Sequence, residues 1–129
     1  MSFLVERRGE YYEVKFESEP AYFHSLRMAP AEPEPMLNTG LWLILTFAIW
    51  SVPDRDAIAS AMAVVRSLEG AVQLGVRPYD DPKEALTWMP EANVTGSPVW
   101  LVMKNGQLVE REIGTRSAEE LQRAVLPHL

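Results

Sequence analysis

The most constraining feature of the sequence is a continuous apolar run, LWLILTFAI at residues 41–49, followed at once by the start of a helical pattern. A run with so few polar breaks fits a strand buried on both faces of a sheet, so we expect it to lie centrally. Apolar residues then recur at helical spacing from Ile58 to Leu68, and Gly70 supplies a C-terminal stop. We therefore expect a central strand that leads directly into a helix with one face packed inward.

The rest of the chain alternates between strand and helix patterns. Asn105-Gly106 is a strong type I′ hairpin turn between two strands, and Ser117 with Glu120 forms a capping box at the start of a final helix. Strand patterns cover residues 72–76, 98–103 and 108–113, and a short helix pattern begins at residue 81. This order predicts an α/β fold in which a mixed sheet carries helices on its faces.

The N-terminal region has a different pattern. The alternation YEVKF at 12–16 and the turn residues RG at 8–9 predict a β-hairpin, followed by a third strand over residues 22–28. The segment APAEPEP at 29–35 is rich in proline and favours an extended linker. The predicted units are an N-terminal arm at 1–28, a linker at 29–38 and a domain at 39–129.

Composition narrows the function classes. A chain of 129 residues with 47% apolar residues suits one domain with a real core. The formal net charge is −6 and basic residues nowhere cluster, so we expect neither nucleic acid nor an anionic membrane as partner. The absence of cysteine removes disulfides, thiolate metal sites and thiol nucleophiles. The N-terminus lacks a secretory pattern and the longest apolar run is shorter than the roughly 20 residues of a membrane helix, which predicts a cytoplasmic protein.

Residues 41–126 carry, in order, the strand LILTFA, the turn from Trp50 to Pro53 that opens a helix, the segment VTGSP before a strand, the KNG hairpin, and Gly114 ahead of the capped last helix. By the order and spacing of these features, this part of the chain resembles the thioredoxin family. The resemblance implies a thioredoxin-like fold, whose mixed central sheet is flanked by helices, with the N-terminal β-hairpin as an extension.

The resemblance also locates the redox positions. In the family the turn reads Trp-Cys-Gly-Pro-Cys, and a thiolate at the helix N-terminus attacks disulfides. Here the two cysteine positions are Ser51 and Asp54, and the position of an assisting buried aspartate is Thr46. Dithiol exchange is therefore excluded, and the protein is not a disulfide oxidoreductase. The simplest interpretation is structural: Ser51 caps the helix, Pro53 suits its first turn, and Asp54 completes a capping-box-like arrangement.

Other catalytic or metal chemistry has little support. A catalytic Ser51 would need a base, and the two histidines, His24 and His128, lie near opposite ends of the chain. Isolated histidines and scattered carboxylates lack metal-ligand spacing, so we expect neither a metal nor a cofactor. The tryptophans expected in the core or at its rim are Trp42, Trp88 and Trp100.

A peptide-binding groove is a further implication of the resemblance. In the family the proline at position 98 is cis, and the backbone before it bonds an extended peptide beside the tryptophan of the turn. A second interpretation is that the turn at Pro98 is retained because the fold needs it. The residues that would line the groove are Trp50, Val52, Pro53, Gly96, Ser97 and Pro98.

The N-terminal arm offers a different surface. A unit of under about 30 residues with two or three strands is marginal alone, so it must pack on the domain or against another chain. We expect homodimerisation through this arm. Its aromatic interface residues would be Tyr11, Tyr12, Phe16, Tyr22 and Phe23.

These features predict a redox-inactive thioredoxin-like protein that binds a protein or extended peptide, or serves as an assembly subunit. Two alternatives stay open. In one, the site binds glutathione through Ser51 and the backbone at Ser97-Pro98, as the N-terminal domains of glutathione transferases do. In the other, the groove is inert and the protein is purely structural, dimerising through its arm.

Overall fold

The computed structural model describes residues 3–8, 11–16, 23–26, 35–79 and 98–129. The strands in these ranges are Phe3–Arg8 (β1), Tyr11–Phe16 (β2), His24–Ser25 (β3), Leu41–Ala48 (β4), Gln73–Tyr79 (β5), Val99–Lys104 (β6) and Gln107–Ile113 (β7). The α-helices are Val52–Ser67 (α1) and Ala118–Val125 (α2), and short 3-10 helices cover Pro35–Asn38 and Leu126–His128. The short helix predicted from residue 81 lies outside the described residues.

Strand β4 lies at the centre of a five-stranded mixed sheet with the order β3-β5-β4-β6-β7. It pairs in parallel with β5 and antiparallel with β6, and β7 continues antiparallel from β6. All eight residues of β4 are buried, which is the pattern of a central strand with both faces covered. The predicted mixed sheet and the central place of this strand are confirmed.

Both helices pack on one face of this sheet. Ile58 of α1 and Leu121 of α2 join alternate residues of β4, among them Leu43 and Leu45, in one continuous apolar core. The other face of the sheet carries a second apolar cluster, made of Leu26, Leu37, Trp42, Ile44, Val99, Leu101 and Met103. The strand that precedes α1 is thus held from both sides.

Two tryptophans of the sheet are buried, as predicted. Trp42 is 4% exposed and Trp100 is 1% exposed. Each indole N–H donates to a backbone carbonyl, Trp42 to Thr39 at 3.0 Å and Trp100 to Gly114 at 2.9 Å, so burial leaves neither donor unsatisfied. Trp88 lies outside the described residues.

Local turn and cap signals are confirmed where the structure describes them. Asn105 and Gly106 have φ values of +50° and +83°, the left-handed pair that a type I′ turn requires. The Ser117 hydroxyl accepts from the Glu120 N–H, and the Glu120 carboxylate accepts from the Ser117 N–H, both at 3.2 Å. This capping box starts α2. Helix α1 ends at Ser67 with Leu68 as its C-cap, and the two residues that follow, Glu69 and Gly70, have positive φ values of +49° and +84°.

The N-terminal hairpin is present and packs on the domain. Strands β1 and β2 pair antiparallel, and Val14 of β2, only 4% exposed, joins the core beneath α1 together with half-buried Val5. The predicted third strand is not part of this hairpin. Within the described residues 23–26 the structure has a two-residue strand, β3, which pairs in parallel with β5 at the edge of the main sheet.

The predicted linker at 29–38 is not extended at its end. Residues Pro35–Asn38 form a 3-10 helix, and Leu37 is 1% exposed within the second apolar cluster. Burial of this leucine contributes about 1.5–3 kcal/mol toward holding the segment against the sheet. Residues 29–34 lie outside the described residues. Across the described parts of the chain, no helix is long and apolar enough to cross a membrane.

Candidate functional site

The site predicted from the resemblance lies where β4 ends and α1 begins. Ser51 is the N-cap of α1, with extended backbone angles, and its hydroxyl oxygen accepts from the Asp54 N–H at 3.4 Å. Pro53 lies in the first helical turn, where a missing N–H costs nothing. The predicted capping role of Ser51 is confirmed, so this hydroxyl is engaged in the fold.

Asp54 is placed differently from the prediction. In a capping box its carboxylate would accept from the Ser51 N–H, but that N–H donates instead to the Ala48 carbonyl at 3.2 Å. The Asp54 Oδ2 atom accepts from the Ala48 N–H at 2.9 Å. The shorter side chain of aspartate, compared with the usual glutamate, bonds to the end of the preceding strand. Asp54 is consequently 2% exposed, a buried polar residue at the second redox position.

Apolar side chains are exposed on the same turn. Trp50 is 58% exposed and Val52 is 65% exposed, and Pro53 is also exposed. The residues on either side of the turn, Ala48 and Asp54, are buried. The turn therefore presents an apolar tip while its polar groups are bonded beneath it.

Pro98 lies at the same end of the sheet. The residue after it, Val99, pairs with Thr46 near the end of β4, and the Pro98 carbonyl accepts from the Gly114 N–H at 2.8 Å. Pro98 itself is buried. Gly96 and Ser97 lie outside the described residues, so the cis peptide bond and the complete groove stay predictions.

The position at which the resembling family has an assisting aspartate is occupied here by Thr46. Thr46 is fully buried, opposite Arg77 of β5, and its hydroxyl has no hydrogen-bond partner among the described atoms. A threonine hydroxyl does not titrate near neutral pH, and it therefore cannot shuttle a proton as a carboxylate does.

Neither histidine lies beside Ser51. His24 Nε2 is 3.4 Å from Gln73 Oε1 and its ring contacts Trp42. Trp42 and Gln73 lie at the opposite end of their strands, about 20 Å from the turn at 3.3 Å per residue. His128 Nε2 is 3.6 Å from the Glu110 carboxylate. The described residues contain no group of three or more possible metal-ligating side chains.

Of the aromatic residues predicted as an interface, only Phe23 has a described side chain. It is half-buried and packs against the main core. For Tyr11, Tyr12 and Phe16 the structure describes the backbone, as part of strand β2, and Tyr22 lies outside the described residues. Homodimerisation through the arm stays a prediction.

A cavity of about 560 Å³ lies at the C-terminal end of α1 and has no counterpart among the sites predicted from the sequence. It combines β3, the last turns of α1 and the start of β5, so no local pattern reveals it. The lining residues are Phe23, His24, Val65, Arg66, Glu69, Gly70, Val72 and Gln73. This cavity is at the far end of α1 from the Trp50 turn.

Comparison with known proteins identifies the fold. No protein-family model and no curated protein sequence matches the chain. Among solved structures, a mutant thioredoxin from Halobacterium salinarum is similar at 12% identity and a TM-score of 0.63, over 86% of this chain and 96% of that one. Fasciola hepatica thioredoxin is similar at 25% identity and a TM-score of 0.59, over 71% and 85%. Mitochondrial thioredoxin 3 from Saccharomyces cerevisiae is similar at 18% identity and a TM-score of 0.59, over 71% of this chain and 83% of that one. The predicted thioredoxin-like fold is confirmed, in a chain without cysteine.

Proposed function

We propose that this cysteine-free chain with a thioredoxin-like fold is a redox-inactive binding protein, which holds an extended segment of a partner protein against the turn at 50–53. The observation that carries the proposal is the pair of exposed apolar side chains, Trp50 and Val52, on a turn whose buried polar groups are bonded internally. Trp is among the residue types most enriched at the energetic hot spots of protein interfaces.

The chemistry of the turn supports binding rather than catalysis. The Ser51 hydroxyl accepts from the Asp54 N–H, and the Asp54 carboxylate accepts from the Ala48 N–H. Both side chains therefore stabilise the helix start and neither offers a nucleophile with an adjacent base. What the turn presents to a partner is mainly apolar surface.

An extended segment is the occupant that we favour. The resemblance implies that the backbone at Gly96 and Ser97 can add a strand to a bound segment, and Pro98, which follows them, lies at the same end of the sheet as the turn. The Pro98 carbonyl is already bonded to Gly114, so the partner would bond the backbone before it. Its apolar side chains would then pack on Trp50.

Glutathione is a weaker candidate for the same site. Its carboxylates would be attracted to the N-terminus of α1. Ser51 already caps that terminus, and its hydroxyl accepts from the Asp54 N–H, so this donor is not available to an added anion. A purely structural role, with dimerisation through the arm, is the remaining alternative, and a cytoplasmic location stays a prediction.

The test is position-specific photo-cross-linking in native lysate, with benzophenone-alanine introduced at Val52 and, as matched control, at the exposed Val109 of β7. We expect a protein captured from position 52 and not from 109, and lost when Trp50→Ala is added. The captured segment, made as a peptide, should bind the unlabelled protein in solution. Capture of the same proteins from both positions, or capture unaffected by Trp50→Ala, would refute the proposal.

A further inference from the structure

The turn between β4 and α1 is closed by hydrogen bonds at both ends. The Ser51 N–H donates to the Ala48 carbonyl, and the Arg55 N–H donates to the Ser51 carbonyl at 3.0 Å, which starts the helix. Many sequences can make these backbone bonds. The bond from the Ala48 N–H to the Asp54 carboxylate is different, since it requires this side chain at this position.

The Asp54 bond is shielded from water. Its donor and acceptor are both buried, Ala48 at 1% and Asp54 at 2% exposure. In such a low-dielectric site a hydrogen bond is electrostatically stronger than in water, and water does not compete for it. It joins the last residue of β4 to the first turn of α1 across the exposed tip of the turn.

We infer that Asp54 is a positioning residue, whose bond to the Ala48 N–H holds Trp50 and Val52 in the orientation that a partner binds. The expected effect on partner binding rests on the proposed function, whereas the bond itself is present in the protein without a partner. Between two anchored ends, the turn loses conformational freedom before binding, and less entropy is then lost in the complex. Asp54 has the role of a non-covalent cross-link across the turn.

The inference separates Asp54 from other acidic residues of the helix. Asp56 lies two residues further along α1 and is exposed, so its removal should leave the turn unchanged. Asp54→Asn keeps a side-chain oxygen that accepts from the Ala48 N–H, whereas Asp54→Ala removes it. The three variants therefore distinguish the acceptor from the charge and from general effects on the helix.

The experiment is ¹⁹F NMR of the full chain labelled with 5-fluorotryptophan, with the Trp50 resonance assigned by Trp50→Phe, together with amide hydrogen exchange at Ala48. Asp54→Ala should alter the Trp50 resonance and lower Ala48 protection about tenfold or more, while the resonances of Trp42 and Trp100 stay. Asp54→Asn should keep the Trp50 resonance and the Ala48 protection close to the wild-type values, and Asp56→Ala should leave both unchanged. The affinity for the partner should fall about tenfold in Asp54→Ala. It should stay close to the wild-type value in Asp54→Asn and Asp56→Ala.

An unchanged Trp50 resonance and unchanged Ala48 protection in Asp54→Ala would overturn the inference. If Asp54→Ala does not fold, the wild-type protein still decides: an Ala48 amide that exchanges as fast as an exposed turn amide refutes the bond. These readouts use free protein. Failure of the proposed function appears instead as partner binding that survives Trp50→Ala.

Discussion

The carboxylate of Asp54 accepts a hydrogen bond from the backbone N–H of Ala48 at 2.9 Å, in a site where both residues are almost fully buried. In a redox-active thioredoxin the position of Asp54 holds a cysteine, according to the resemblance. Here the same position joins the end of a strand to the start of a helix. A position that serves chemistry in the family thus serves the shape of an exposed apolar turn in this chain.

The helix cap at Ser51 has a measurable contribution. Ser51→Ala should lower the free energy of unfolding by about 1 kcal/mol, because the Asp54 N–H loses its side-chain acceptor. Ser51→Gly should cost less, only a few tenths. Urea denaturation measures both. Equal stability of Ser51→Ala and the wild type would show that the 3.4 Å bond contributes nothing.

Leu26, which follows β3, packs so closely on Gly75 of β5 that a larger residue at position 75 should overpack the core. A Cβ atom at Gly75 would lie 2.7 Å from Leu26 Cδ1, and Leu26 is 2% exposed, so its side chain has little room to move. Gly75→Ala should destabilise the protein by about 1–3 kcal/mol. In the Leu26→Ala background the same substitution should cost less. Additive effects of the two substitutions in denaturation experiments would contradict the contact.

The capping box of α2 predicts a pH dependence. The Ser117 backbone N–H, which donates to the Glu120 carboxylate, lowers the pKa of Glu120 below its ordinary value of 4.5. Since the folded pKa lies below the unfolded one, the contribution is fully present above about pH 4.5 and is lost as the pH falls through the folded pKa. The stability difference between wild type and Glu120→Gln should therefore shrink in acid. Glu119→Gln is the control from the same helical turn, and a difference that grows in acid would oppose the prediction.

Glutathione should not stabilise the protein. A ligand present at 100 times its dissociation constant adds about 2.7 kcal/mol to the free energy of unfolding. Because Ser51 and buried Asp54 already fill the start of α1, we expect no change in Tm with millimolar glutathione. A dose-dependent rise in Tm that Ser51→Ala abolishes would favour the glutathione-binding alternative.

The elements that follow from local patterns were predictable from the sequence. The continuous apolar character of 41–49 predicted a central strand, and Asn105-Gly106 predicted a hairpin turn, because each pattern is decided by residues close together in the chain. The cap at Ser51 belongs to the same class. All three are decided by residues that are close together in the chain.

Features that depend on distant segments were not predictable. The bond from Ala48 to Asp54 depends on which N–H the closed turn leaves available. The parallel pairing of β3 with β5 joins segments far apart in the chain and gives no local signal. Burial of Leu37 in a proline-rich segment likewise depends on the apolar sheet face against which it packs.

The most direct test of the central claim compares the two candidate interaction surfaces on one partner. The affinity of the cross-linked partner, or of its captured segment, is measured by titration calorimetry for wild type, Trp50→Ala and Leu4→Ala. Leu4 is the matched control, since it is 46% exposed on the N-terminal hairpin, against 58% for Trp50. We predict at least about a tenfold loss for Trp50→Ala and unchanged affinity for Leu4→Ala. A loss with Leu4→Ala and none with Trp50→Ala would contradict the account and make the hairpin the binding surface.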